Sequence, residues 1–250
     1  MSKGHLLGLS LGPGDAGLIT RKAWAALQSD GVWCYPVRKR GGASHALNIV
    51  ARTELAIPDD AIELLFPMTH NSELLTQAWS AAAQRVLPTL QAGRDVLFLV
   101  EGDASTYSTF TYLARYIQAM DKDIVVEIVA GVPSFNAAAA STATPLAERD
   151  DTIAIVPAGY GIDELESLLP HFDSLVLLKV KPLLNRIVDW LEQRELLEYA
   201  TFVEQSGTPD ERTVHDIREL KGERVNYLSL MLIRNPHRKR ASIERGCKQR

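Results

Sequence analysis

Several short segments bring together residues suited to holding a ligand closely against the backbone. The first is Gly8-Leu9-Ser10-Leu11-Gly12-Pro13-Gly14-Asp15, where glycines admit positive φ and close approach while Pro13 stiffens the turn. The second is Glu101-Gly102-Asp103-Ala104-Ser105-Thr106-Tyr107-Ser108-Thr109. Here Gly102 opens the backbone, Asp103 can accept from hydroxyl or amine groups, and the Ser/Thr run can cap a helix. In Ala130-Gly131-Val132-Pro133-Ser134-Phe135, Ser134 is either a helix cap or a ligand contact. Leu178-Lys179-Val180 and Glu204-Gln205-Ser206-Gly207-Thr208 are weaker segments of the same kind. Arg38-Lys39-Arg40, followed by Gly41-Gly42, is a flexible basic loop, either a solvated face or a clamp for a multiply anionic ligand.

Other chemistries are excluded by spacing. The first segment does not fit GxGxxG, and the second strand ends in a basic run rather than a ribose-binding carboxylate. There is no GxxxxGK[ST] phosphate loop and no GxSxG nucleophile elbow. His5, His45, His70, His171, His215 and His237 are scattered without HExxH or zinc spacing, so no metal site is expected. Cys34 and Cys247 stand far apart and form neither a disulfide framework nor a CxxC motif. With no evident covalent catalyst, the residue set suits a reaction in which positioning suffices.

These loops need a scaffold that presents them, and short apolar strand patterns alternating with amphipathic helices supply one. Strands are expected at 5–10, 32–35, 62–66 and 95–100, the second stopped by Pro36. Helices are expected at 18–29, 44–54, 72–92 and 107–119, with Ser72 as the cap of the longest. Further strands at 124–129, 152–156 and 175–180 open a second unit, with helices at 134–141, 162–169 and 182–194. Candidates at 199–204, 211–215 and 225–233 then suggest an antiparallel or mixed edge. The fold class is therefore α/β, two tandem domains: a parallel-sheet N-terminal domain at 1–119 and a mixed-sheet C-terminal domain at 123–233. In parallel sheets ligands bind at the carboxyl ends of strands, where these glycine-rich segments fall.

Composition agrees with a globular chain of 250 residues, 46% hydrophobic and 23% charged. The apolar runs are too short for a membrane span, no leader pattern precedes the first strand, and a cytoplasmic protein is expected. The net charge of −4 is uneven: residues 234–250 carry +6 and the preceding body −10. That basic segment is expected to be a solvated, poorly ordered tail, too short on an acidic body for nucleic-acid binding.

The segments Gly8–Ala23, Trp33–Ile49, Leu65–Thr69, Ala92–Leu113 and Val126–Ala140, with Leu177–Val180 and Glu204–Thr213, together resemble the tetrapyrrole methylase family over about residues 5–233. The GPGD and GDxxxY patterns carry the family. The basic YPxRKR loop, FPMT and YSTF resemble the branch that methylates C20 of precorrin-2 to precorrin-3A in cobalamin biosynthesis. Ala104 and Ala130 stand where that family usually has proline, and Pro133 where it usually has serine.

The resemblance implies a homodimer of two α/β domains, with S-adenosylmethionine (SAM) folded in the cleft between them and the tetrapyrrole in a trough above. Carried over by motif position, the SAM contacts are Pro13, Gly102, Asp103, Thr106, Pro133, Ser134, Lys179 and Gly207, with Asp103 the main polar anchor. Arg38, Lys39, Arg40 and Ser108 are the expected substrate contacts. Glu101 and Tyr107 are candidate proton acceptors, with bulk water as the alternative. A cobalt-containing substrate, cobalt-factor II, is the alternative reading, and a SAM-binding protein without turnover is a third.

Overall fold

The computed structural model describes residues 2–69 and 71–239. The chain divides into two compact units. One runs through Ala137 and includes Gly207–Pro209; the other comprises Ala138–Ser206 and the chain from Asp210.

The first unit is built on five parallel strands, β1 (Leu6–Ser10), β2 (Val32–Val37), β3 (Ile62–Leu65), β4 (Val96–Val100) and β5 (Val126–Val129), in the order β3-β2-β4-β1-β5. β4 is apolar at all five positions because helices cover both faces of the sheet. Val96, Phe98 and Val100 join the core beneath α3 (Ser72–Gln91) and α4 (Phe110–Met120). Leu97 and Leu99 point the other way, into the core beneath α1 (Arg21–Leu27) and α2 (His45–Val50).

Local chemistry sets the element ends. Thr20 caps α1 by accepting from Ala23 N–H, and Ser44 caps α2 through Leu47 N–H. α3 is capped by Asn71, not Ser72: its Oδ1 accepts from Glu73 and Leu74 at 3.0 and 3.1 Å. Pro36 does not stop β2, which runs on to Val37. The ladder to β4 ends at Cys34, and beyond it β2 pairs with β3 alone. Val37 O accepts from Phe66 N–H, so the missing donor of Pro36 faces the side where pairing has already ended.

The second unit holds β6 (Ile153–Pro157), β7 (Ser174–Leu178), β8 (Ala200–Glu204), β9 (Arg212–Val214) and β10 (Ser229–Arg234), in the order β6-β7-β10-β8-β9. β6 and β7 are parallel and the remaining pairs antiparallel, so the sheet is mixed as expected. α6 (Ile162–Leu168) and α7 (Leu184–Gln193) cover it through Leu165, Ile187, Val188 and Leu191. Among the described residues no helix is long and apolar enough to cross a membrane.

Two sequence expectations change. The strand at 126–129, expected to open the second unit, pairs with β1, so the first sheet extends past the expected boundary at 119–123. The division falls within α5 (Ser134–Ser141) instead. The expected tail also begins too early. Arg234 completes β10 and binds Asp151, Asn235 N–H donates to Asp173 O at 2.8 Å, and Arg238 pairs with Asp173. Two carboxylates about 2–3% exposed supply partners that the composition of the tail does not reveal. The rest of the expected tail, residues 240–250, lies outside the described residues.

Candidate active site

Apart from Gly207, which follows β8, the expected site residues of the first unit lie on the loops that leave the carboxyl ends of its strands. The chain passes from β1 across β4 to β2, whereas it passes from β4 across β1 to β5. The two connections lead to helices on opposite faces of the sheet, α1 and α4, and such a reversal at the carboxyl ends of adjacent strands is the usual ligand position in parallel sheets. The β1 and β4 loops meet there. Gly12 N–H donates to Gly102 O at 3.2 Å and Gly102 N–H donates to Gly12 O at 2.7 Å. Gly102 has φ +79°, and a Cβ built on it would meet nothing within 4 Å, so the backbone is presented bare.

Asp103 joins a third loop to these two. Its carboxylate accepts from Gly131 N–H at 2.8 Å, from Ser105 N–H at 2.8 Å and from the Ser105 hydroxyl. Burial pushes its pKa up, but these hydrogen bonds outweigh that effect and hold the carboxyl below its ordinary value. At 9% exposure the side chain is a tie between the β4 and β5 loops. At Gly131 a Cβ would stand 2.4 Å from Ser10 Cβ and 2.8 Å from Gly102 O, so only glycine lets the three loops approach this closely.

Three further ties escaped sequence reasoning. Ser10, fully buried, accepts from Ala104 N–H at 2.8 Å. Thr20 donates to Ala130 O at 3.2 Å, and Arg52 Nη1 donates to Gly14 O at 2.8 Å. The available signal for Ser10 was a hydroxyl inside an otherwise apolar strand. No local signal marks Arg52, whose partner lies far away in sequence.

Pro13, Gly102, Asp103, Thr106, Pro133, Ser134 and Gly207 all fall in the first unit. Gly207, at φ +74°, packs against Pro13, and Thr106 N–H donates to Asp103 O at 3.2 Å. Pro133 O accepts from Asn136 and Ala137 N–H, setting the start of α5 with Ser134 as its first residue. Lys179 lies in the second unit, just past β7, with φ +57° and its N–H donating to Ser229 O at 2.9 Å. Ser108 accepts from Phe110 N–H at 3.1 Å at the entry to α4. Tyr107, with φ +51°, lies outside that helix and is 55% exposed.

On the β2 side of the same rim, Arg38, Lys39 and Arg40 are exposed. Beyond β3, Met68 is 60% exposed. Glu101 stands at the end of β4, next to β2, and burial pushes its carboxyl up to about 7 despite the opposing charge of Arg38. The His45 pKa is lowered, by burial and then by Arg38. Buried Cys34 is held as the thiol, its pKa pushed far up by burial. Among the described residues no group of three or more His, Cys, Asp or Glu is arranged to hold a metal ion.

The rim thus combines backbone-lined loops, one carboxylate raised to about 7 and a basic turn. This arrangement can bind, orient and deprotonate.

Known proteins match the chain along most of its length. Cobalt-precorrin-2 C(20)-methyltransferase of Salmonella typhimurium is 33% identical over 92% of this chain and 96% of its own. A probable cobalt-precorrin-2 C(20)-methyltransferase of Methanocaldococcus jannaschii is 32% identical over 91% of this chain and 94% of its own. The fold matches the uroporphyrin-III C-methyl transferase of Thermus thermophilus, solved with S-adenyl homocysteine, at a TM-score of 0.64 and 22% identity over 92% of each chain. The sequence model of the tetrapyrrole (corrin/porphyrin) methylases matches residues 5–221, and with that span and these relatives the chain belongs to the tetrapyrrole methylase family.

Proposed function

We propose that the chain is a SAM-dependent C-methyltransferase that methylates C20 of precorrin-2. The observation that carries this reading is the order of the loops along one sheet edge. The β4, β1 and β5 loops, knitted by Gly12, Gly102, Asp103 and Gly131, are contiguous, and the β2 loop with its three basic residues lies next to them. A backbone-lined cradle therefore adjoins a cationic turn, matching a compact donor beside a polyanionic acceptor.

The bare backbone at Gly102 fits a bound SAM. Pro13, Gly102, Asp103, Thr106, Pro133, Ser134, Lys179 and Gly207 would hold it. SAM supplies an already activated methyl group on a sulfonium. Arg38, Lys39 and Arg40 pair with the acetate and propionate arms of the macrocycle, and Ser108 offers its hydroxyl to the same substrate. Holding the C20 carbon in line for transfer contributes on the order of 7–11 kcal/mol of barrier lowering, so no nucleophile is required. Glu101 accepts the C20 proton after transfer, since a carboxylate titrating near 7 is both ionised and basic at neutral pH. Tyr107 is the second candidate for that proton. The family resemblance further supports a homodimer working in the cytoplasm.

The decisive experiment is incubation with SAM and precorrin-2, reading product mass and, from a labelled methyl, its position. One methyl at C20 supports the proposal; a methyl elsewhere, or SAM binding without transfer, overturns it. A second reading, transfer to the cobalt-bearing form of the same substrate, is favoured by the names of both relatives. Parallel assays distinguish them, and turnover of the cobalt form alone would replace the first reading by the second.

A further inference from the structure

Three consecutive basic residues on one short turn repel one another, and such a turn keeps its shape only if the backbone beneath it is tied down. Here Gly42 N–H donates to Lys39 O at 3.0 Å, closing the turn, and Gly41 sits at φ +64°. The second tie comes from the neighbouring strand. Gly41 N–H points at both carboxylate oxygens of Glu63, at 3.1 and 3.0 Å.

Glu63 lies in the middle of β3, in register with Tyr35 of β2. Its neighbours Ile62 and Leu64 pack into the core beneath α3 and α4, so the alternation of the strand turns Glu63 to the opposite face. At the equivalent face of β2 and β4 stand Trp33 and Leu97, both buried and apolar. Glu63 is the charged residue on this otherwise apolar and aromatic face, and its carboxylate is directed at the turn that carries Arg38, Lys39 and Arg40.

We propose that Glu63 is a positioning residue that holds the basic turn in its substrate-binding shape before the tetrapyrrole arrives. The proposal rests on the reading of that turn as the site for the substrate carboxylates. Prefixing the turn removes part of the ordering that substrate binding would otherwise have to impose. A simpler role for an inward charge on an edge strand is to discourage pairing with another strand. That role requires the charge, whereas positioning requires only the acceptor oxygen.

Glu63→Gln and Glu63→Ala separate the two, because glutamine keeps a carbonyl acceptor and loses the charge. The first readout needs no substrate: hydrogen exchange of the Gly41 amide, followed by NMR. It should speed up by about tenfold in Glu63→Ala and change by less than about threefold in Glu63→Gln. The second readout is steady-state kinetics with precorrin-2. The Ala variant should raise the tetrapyrrole KM about fivefold, with kcat and SAM affinity unchanged, and the Gln variant should resemble the wild type.

Unchanged Gly41 exchange in Glu63→Ala, or a Gln variant as impaired as Ala, overturns the proposal. A Lys39→Gln/Arg40→Gln variant locates any other failure. If that pair raises KM and Glu63→Ala does not, positioning by Glu63 is wrong and the substrate site stands. If neither moves KM, the reading of the turn as a substrate site falls, and the proposal with it.

Discussion

Glu101 and Asp103 are two residues apart, yet their environments push them in opposite directions. Glu101 is raised from 4.5 to about 7 by burial, whereas Asp103 is lowered by the three hydrogen bonds that overcome its burial. Between about pH 4.5 and 7 the folded chain holds more protons on Glu101 than the unfolded chain, so this residue makes stability fall as pH rises through that window. Glu101→Gln should therefore stabilise the protein at pH 8 by about 1–3 kcal/mol and leave it unchanged at pH 4, by urea denaturation at each pH. The same variant should lose about 10²-fold or more in kcat, and wild-type kcat/KM should rise with an inflection near 7. Arg38→Gln should move that inflection upward, since Arg38 favours the ionised carboxylate. A pH profile untouched by either change would remove Glu101 from the mechanism. Asp103 contributes stability that is present above its ordinary 3.8 and is lost as the pH falls further. Asp103→Ala strands the Gly131 and Ser105 donors, at about 1–3 kcal/mol, and should weaken SAM binding by calorimetry more than it raises the tetrapyrrole KM.

At the scale of elements, the first unit works because three strand ends meet within a backbone's reach of one another. Gly131→Ala tests that closeness directly, since Gly131 is not at positive φ and an alanine there suffers from crowding alone. The added Cβ must displace the β5 loop from Ser10 and Gly102, breaking the Asp103 tie. About 1–3 kcal/mol of stability and most of the SAM affinity should be lost, measured by denaturation and calorimetry. Gly159→Ala, where a Cβ meets nothing within 4 Å, is the control and should change neither. The apolar runs of β1, β4 and β7 and the glycines after β1 and β4 were legible in the sequence, because burial on both faces and bare backbone leave a compositional mark. Strand pairing over long separations was not. Val126–Val129 has the same pattern whether it opens a new sheet or joins β1, and only the latter is realised. Side chains that bind distant backbone were hidden for the same reason. The sequence offers Asp103 as a ligand anchor but does not show that its carboxylate also accepts from Gly131 N–H. Ala104 illustrates the reverse: where proline would stiffen the loop, its N–H instead donates to Ser10, a bond proline could not make.

Over the whole molecule, charge sets a problem that the basic turn must solve. The net charge is −4, so a polycarboxylate approaching from solvent meets an overall repulsive field. Part of the C-terminal basic excess is already engaged, with Arg234 on Asp151 and Arg238 on Asp173. Local attraction is assigned to the exposed turn of Arg38, Lys39 and Arg40, which acts over a Debye length of about 10 Å at 0.1 M salt. Salt weakens local attraction and global repulsion together, and the sign of its effect on KM reports which dominates. In the wild type, the tetrapyrrole KM should rise severalfold between about 50 and 500 mM NaCl, because the turn acts at contact distance. In Lys39→Gln/Arg40→Gln, KM should start higher and rise less steeply over the same range, because Arg38 alone is left on the turn to attract the carboxylate arms. The SAM KM should change far less, as SAM carries a single net charge against the several carboxylates of the tetrapyrrole. A wild-type KM independent of salt, or the same rising slope in both proteins, would mean that the carboxylate arms are held elsewhere on the molecule.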